Sequence, residues 1–217
     1  LSYITLRLAA ATAHVWWQLP QLQELSVDDS SSESGTDVYV QSMLAGVAAA
    51  TSLTSLHLHS LSLANEHMAD IVVCPRIAGL SRLEKLHIQS SNPHDVQALT
   101  ALTGLTHLDL ARSWESVGTD TATALARSLT RLRHLDLRGC REVDLGSAEL
   151  MLALGQLTQL TLLDIAQGSD DSQLTVGGLM QLTGLRHLEE LMFTHSAEIT
   201  QDVLDVFWAA VRGQHMS

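Results

Sequence analysis

This chain of 217 residues predicts an α/β solenoid of about eight repeats, with a parallel sheet on its concave side and helices on its convex side. Three observations predict it. The pattern L-x-x-L-x-L returns eight times. Its second core residues, Ile4, Leu25, Leu56, Leu86, Leu108, Leu135, Leu163 and Leu191, lie 21, 31, 30, 22, 27, 28 and 28 residues apart. Those spacings hold one strand and one return segment, too little to fold unless stacked on a neighbour. Polar helix-start residues, finally, stand between several of the copies.

The strands come first. Each copy sets three apolar residues at the same offsets: Leu1/Ile4/Leu6, Leu22/Leu25/Val27, Leu53/Leu56/Leu58, Leu83/Leu86/Ile88, Leu105/Leu108/Leu110, Leu132/Leu135/Leu137, Leu160/Leu163/Ile165 and Leu188/Leu191/Phe193. The alternation of the last two in each copy is the period of a strand with one buried face. A further leucine three residues upstream, at Leu80, Leu102, Leu129, Leu157 and Leu185, extends the same core.

The return segments come next. Thr36/Asp37 precede VYVQSMLAGV, Asn65 precedes EHMADIVV, Asn92-Pro93 opens HDVQALTAL and Thr119/Asp120 open TATALARSL. Ser, Thr, Asp or Asn at an N-cap accepts from an otherwise unpaired N–H, and proline suits the first helical turn. Units of 21 or 22 residues leave room only for a short helix or a 3₁₀ turn. The final segment, about 200–211, carries Val203, Leu204, Phe207 and Trp208 at helical spacing and is expected to close the core. No comparable polar cap is visible at the other end, where Leu1 already stands at a core position. A single domain over residues 1–217, continued beyond the N-terminus or covered there by a partner, is the expectation.

This repeat resembles the leucine-rich repeat family, whose signature is L-x-x-L-x-L-x-x-N/C-x-L. The longer units are similar to the intracellular, helix-bearing types, those of ribonuclease inhibitor and the cysteine-containing repeats of F-box proteins. The best match to the latter is Leu135-Asp136-Leu137-Arg138-Gly139-Cys140, with Cys140 at the Asn/Cys position, where the family's side chain satisfies backbone groups of the turn. Ser30, Leu61, Ser91, Ser113, Gly168 and Ser196 occupy that position elsewhere, so the asparagine ladder is absent.

Composition narrows the function. The formal net charge is −12, and Lys85 is the only lysine, which disfavours direct nucleic-acid binding because that needs clustered basic residues. No apolar run approaches the roughly 18 residues of a membrane span. Cys74 and Cys140 stand in no C-x-x-C motif, and neither Asn65 nor Asn92 begins a glycosylation sequon. A reducing, intracellular compartment is expected. The sequence contains no Walker, dinucleotide, nucleophile-elbow or zincin motif. Neither an enzyme nor a cofactor is expected.

If the L-x-L residues point inward, the positions between them line the concave face in three columns. The first is Tyr3, Glu24, Ser55, Lys85, His107, His134, Leu162 and Glu190. The middle one is Thr5, Ser26, His57, His87, Asp109, Asp136, Asp164 and Met192, and the third includes His59, Gln89 and Arg138. Asp109, Asp136 and Asp164 should form a row of neighbouring carboxylates, whose repulsion a basic or polar partner segment would relieve. Reversing all three to lysine is expected to abolish binding without unfolding the array. His57, His59 and His87 converge at the other half; a row of rings set side by side does not suit a metal, and no metal site is expected. Candidate partner-binding residues are therefore His57, His59, His87, Asp109, Asp136, Arg138 and Asp164, with Trp17 and Trp114 as aromatic contacts.

The functional expectation is a non-enzymatic protein-interaction scaffold, a structural or accessory subunit of a hetero-oligomeric assembly. The alternative, implied by the F-box resemblance, is the substrate-recognition module of a ubiquitin-ligase adaptor.

Overall fold

A computed structural model describes residues 3–7, 21–28, 37–61, 73–90, 96–111, 117–167 and 174–213. Eight strands form one parallel sheet in strict chain order: β1 (Tyr3–Arg7), β2 (Glu24–Asp28), β3 (Ser55–Leu61), β4 (Lys85–Ser90), β5 (His107–Asp109), β6 (His134–Asp136), β7 (Leu162–Asp164) and β8 (Glu190–Met192). Sequential parallel pairing needs a crossover after every strand. Among the described residues six α-helices belong to these crossovers and to the end of the array: α1 (Asp37–Ala49), α2 (Cys74–Ile77), α3 (Thr119–Ser128), α4 (Ala148–Gly155), α5 (Val176–Gln181) and α6 (Gln201–Gly213).

Unit length decides the type of return segment. The described part of the 22-residue step between Leu86 and Leu108 holds a 3₁₀ helix, Val96–Ala101, whereas the next step, of 27 residues, holds the ten-residue α3. A second 3₁₀ helix, Leu182–Gly184, succeeds α5 directly. The expected helix after Asn65 falls largely outside the described residues; the described part of that crossover holds α2, which is four residues long.

Every described L-x-x-L-x-L leucine from Leu22 to Ile165 is buried, and so are Leu80, Leu102, Leu129, Leu157 and Leu185. They share one core with the inward helix residues Met43, Leu44, Val47, Leu125, Leu150 and Leu154. In the last copy, at the edge strand β8 of the described sheet, Leu188 is buried but Leu191 and Phe193 are only partly so. Helix α6 covers this end with Phe207 and Val211, both buried, and with Val203, Leu204 and Trp208 packed partly against the core.

Helix caps differ from the sequence expectation. Gly118, not Thr119 or Asp120, is the N-cap of α3 and offers no side chain. Thr119 ties that helix to the next unit, its hydroxyl donating to the Glu142 carbonyl (3.2 Å) and accepting from the Asp144 N–H (2.8 Å). Side-chain caps occur at Ser147 of α4 and Thr175 of α5, each accepting from the N–H three residues on.

Neighbouring units also touch backbone to backbone. A Cβ added at Gly155 would lie 2.3 Å from the Gln181 carbonyl oxygen of the next unit. Gly139 has φ 73°, the left-handed conformation that turns the chain from β6 toward Cys140. The Cys140 thiol donates to the Leu110 carbonyl at 3.4 Å, across to the preceding unit. It thus satisfies a turn backbone group as the repeat signature implies.

Candidate functional site

The outward side chains of the strands fall into register across the sheet. Pairing runs Glu24–Ser55–Lys85–His107–His134–Leu162–Glu190 in the first column and Ser26–His57–His87–Asp109–Asp136–Asp164–Met192 in the middle one. The third column breaks. Between Leu58 and Leu61 the β3–β4 register shifts so that Leu61 faces Ser90, and His59 and Gln89 are no longer partners. Strands β5 to β8 end at the middle column, which leaves Arg138 in the turn beyond β6.

The three aspartates stand side by side, but they are not an open acidic row. Asp136 is 6% exposed and Asp164 1%. The cause is local: Oδ1 of Asp109, Asp136 and Asp164 accepts, at 2.9 Å in each case, from the backbone N–H two residues on, at Ala111, Arg138 and Ala166. Each carboxylate thereby closes the turn that ends its strand, where a backbone donor would otherwise lack a partner.

Their second oxygens are met from within the chain. Arg138 sets Nη2 3.3 Å from Asp136 Oδ2 and Nη1 3.7 Å from Asp164 Oδ2. His87 Nδ1 lies 2.5 Å from Asp109 Oδ2. The repulsion expected of the row is therefore offset by Arg138 and His87 rather than left for a partner. Lysines in place of Asp136 and Asp164 would bury uncompensated cations beside Arg138, so the triple reversal should unfold the array, contrary to the sequence expectation.

Titration reflects this geometry. Burial pushes the Asp136 carboxyl up, Asp109 and Asp164 push it further, and the Arg138 N–H and charge only partly oppose them. Burial also acts to raise Asp109, but the His87 hydrogen bond and the Ala111 N–H outweigh it and hold that carboxyl below its ordinary value.

What remains accessible at the centre of the sheet is imidazole. His57 and His87 stack with centroids 5.8 Å apart, His57 and His59 at 5.9 Å, and His59 and His87 at 4.6 Å with a 43° tilt. His107 and His134 stack at 5.8 Å in the next column. All five rings are partly exposed. Ser55 Oγ lies 3.2 Å from His57 Nε2, and Thr106 Oγ1 2.8 Å from His107 Nδ1, which fixes two of the ring orientations. Among the described residues no three His, Cys, Asp or Glu side chains are arranged to hold a metal ion. Rings stacked on parallel strands face one another rather than aiming their nitrogens at a common point.

The structure thus gathers His57, His59 and His87 into one cluster that continues through Asp109 to Asp136, Asp164 and Arg138. Trp17 and Trp114 lie outside the described residues. Sequence reasoning missed the row of residues just before each strand. Thr54, Thr106 and Thr161 donate their hydroxyls to the carbonyls of Gln23, Glu84 and Arg133 in the preceding units, at 3.2, 3.0 and 2.9 Å. The recurring L-T-x-L spacing was the available signal.

No protein-family model matches the chain, and neither does any curated protein. Among solved structures, an internalin of Listeria monocytogenes is similar over 90% of this chain and 55% of its own, with 20% identity and a TM-score of 0.53. The leucine-rich repeat ectodomain of the Arabidopsis receptor kinase HAESA, solved with a peptide hormone, is similar over 83% of this chain and 31% of its own, with 21% identity and a TM-score of 0.50. The fold is the leucine-rich repeat fold, and the chain spans about half of the internalin and a third of the ectodomain. Among the described residues no helix is long and apolar enough to cross a membrane.

Proposed function

We propose that this chain is a non-enzymatic protein-interaction scaffold that presents the outer face of its sheet to a partner, as a structural or accessory subunit of a larger assembly. The observation that carries this reading is the strip of five stacked, partly exposed histidines beside Lys85. Side chains held on paired strands lose little freedom on binding, so the ordering cost of association is low.

The chemistry of the strip favours a polar segment over a purely basic one. A neutral imidazole offers one donor and one acceptor, matching the backbone groups of an extended chain. The carboxylates that would hold a basic segment are already engaged by Arg138 and His87. The receptor-kinase ectodomain of the same fold carries a peptide, the kind of partner such a strip suits. Two buried cysteines that form no disulfide support an intracellular compartment.

The second reading is the recognition half of an F-box-type adaptor. Its supporting observation is Cys140, whose thiol donates to the Leu110 carbonyl of the preceding unit, a turn backbone group of the kind the cysteine-containing repeats satisfy at this position.

Gentle purification of the native protein with cross-linking and mass spectrometry tests both. Stoichiometric recovery in one particle, with cross-links to Lys85 lost in a His57→Gln/His59→Gln variant, supports the subunit. Recovery with ligase components and varying clients supports the adaptor. Cross-links confined to the helical side would overturn the sheet-face reading.

A further inference from the structure

A second, separate site lies at the edge of the sheet where the strands begin. A cavity of about 390 Å³ opens there between the turns leading into β6, β7 and β8 and the last turn of α6. Arg133, Arg186 and Arg212 line it, with His187, Gln159 and Thr161, and Glu189 is the one carboxylate among them. The whole sequence has 12 Lys and Arg against 24 Asp and Glu. Three of the 12 basic residues meet one of the 24 acidic ones in this single concavity, so the charge sign of the molecule is locally inverted.

Residues far apart in sequence reach this point because the solenoid stacks them. Thr161 and Leu162 both donate their N–H groups to the Arg133 carbonyl, and Glu189 and Glu190 donate to Thr161 in turn. Arg133, Thr161 and Glu189 are thus consecutive rungs, about 4.8 Å apart. From the other side α6 delivers Arg212, whose guanidinium lies 5.8 Å from the Trp208 ring centroid. Among the described residues neither Arg133 nor Arg212 forms an ion pair with a carboxylate.

We propose that this pocket binds a phosphate group. A guanidinium offers a planar fork of N–H donors that matches a phosphate face, and several of them suit a dianion better than a single carboxylate. Gln159 adds an amide donor at the wall. Thr161 does not, because its hydroxyl hydrogen is committed to the Arg133 carbonyl. Glu189 and the negative end of the α6 dipole oppose an anion, the latter weakly because it acts only within the last helical turn. The net charge of −12 is distributed over the chain, and beyond the Debye length of about 8 Å at physiological salt it is largely screened. The arginines at the site therefore set the local potential.

A free phosphate compound and a phosphorylated side chain of a partner share this chemistry, and titration separates them. Inorganic phosphate, a phosphoserine hexapeptide and its unphosphorylated counterpart are each added to ¹⁵N-labelled protein at pH 7.5. The expected result is saturable movement of the Thr161, His187 and Glu189 amides with both phosphate-bearing probes and none with the unphosphorylated peptide. A peptide bound at least tenfold more tightly than phosphate assigns the site to a phosphorylated partner; equal affinities assign it to a free phosphate compound.

Arg133 and Arg212 are exposed, so Arg133→Gln/Arg212→Gln leaves the fold intact by circular dichroism and lowers the affinity at least tenfold. Glu189→Gln raises it. Absence of saturable shifts, or shifts unchanged in the arginine variant, would overturn the proposal. Neither result touches the sheet face.

Discussion

Arg138 Nη1 lies 3.7 Å from Asp164 Oδ2, joining an arginine whose side chain is 54% exposed to an aspartate on the neighbouring strand that is almost fully buried. The same guanidinium reaches Asp136, so one side chain holds two adjacent carboxylates of the row. Removing one partner of a fully buried pair costs about 3–5 kcal/mol, and solvent around a half-exposed arginine screens much of that. Arg138→Gln is expected to lower the unfolding free energy by about 1–2 kcal/mol at pH 7. The folded-state carboxyl of Asp136 is raised above its ordinary 3.8, so its contribution is present below that value and is lost as pH rises through the raised one. Arg138 moderates this loss. The variant's deficit in urea unfolding should therefore shrink as pH falls from 7 toward 4, and a deficit independent of pH would refute the charge role of Arg138.

The imidazole strip should make the array sensitive to mild acid. Burial lowers the His57 value, as do His87 and His59, while Glu24 and Asp109 act in the opposite sense. His107 is lowered by burial, then by Lys85, His134 and Arg133, against Glu84. Both start from an ordinary value of 6.5. The unfolded chain takes up these protons first, so stability is fully present above 6.5 and is lost as pH falls through the lowered folded values. Urea midpoints at pH 7.5, 6.5 and 5.5 should decline, and less steeply in His57→Gln/His107→Gln. An unchanged slope in that double variant would assign the acid sensitivity elsewhere.

Close stacking of the repeats predicts a glycine that tolerates no side chain. Alanine is the better helix former by about 0.8–1.0 kcal/mol, yet at Gly155 its Cβ would meet the Gln181 carbonyl at 2.3 Å, and backbone cannot rotate aside. Overpacking costs typically about 1–3 kcal/mol, so the clash outweighs the propensity. Gly155→Ala should lower the unfolding midpoint. Gly79→Ala, with nothing within 4 Å of the added Cβ, is the control and should be neutral. Equal behaviour of the two would mean that α4 and the next unit are not in such close apposition.

The strand register was legible in the sequence to the residue for the first two columns. Period-two alternation decides which face a side chain takes, and parallel strands of one repeat type pair at equivalent positions. His57, His87 and Asp109 are neighbours for that reason alone. The third column failed at the β3–β4 irregularity, because no repeat pattern records an extra residue absorbed between Leu58 and Leu61. Gly118 as the α3 cap was equally hidden. Thr119 looked like a cap by type, but its hydroxyl found Glu142 and Asp144 in the next unit.

The leucine pattern by itself determined the architecture, the buried face of strands β2 to β7 and the order of side chains along the sheet, because those depend on short periodicities that each repeat carries within itself. Only the tertiary structure decided which charges are answered and which face solvent. Asp136 and Asp164 are spelled as outward residues, but Arg138 and the turn N–H groups enclose them. Arg133, Arg186 and Arg212 carry no shared motif and meet only because stacked turns and the closing helix converge. Electrostatic environment depends on distance through space and on excluded water, and neither is written in the spacing of residues along the chain.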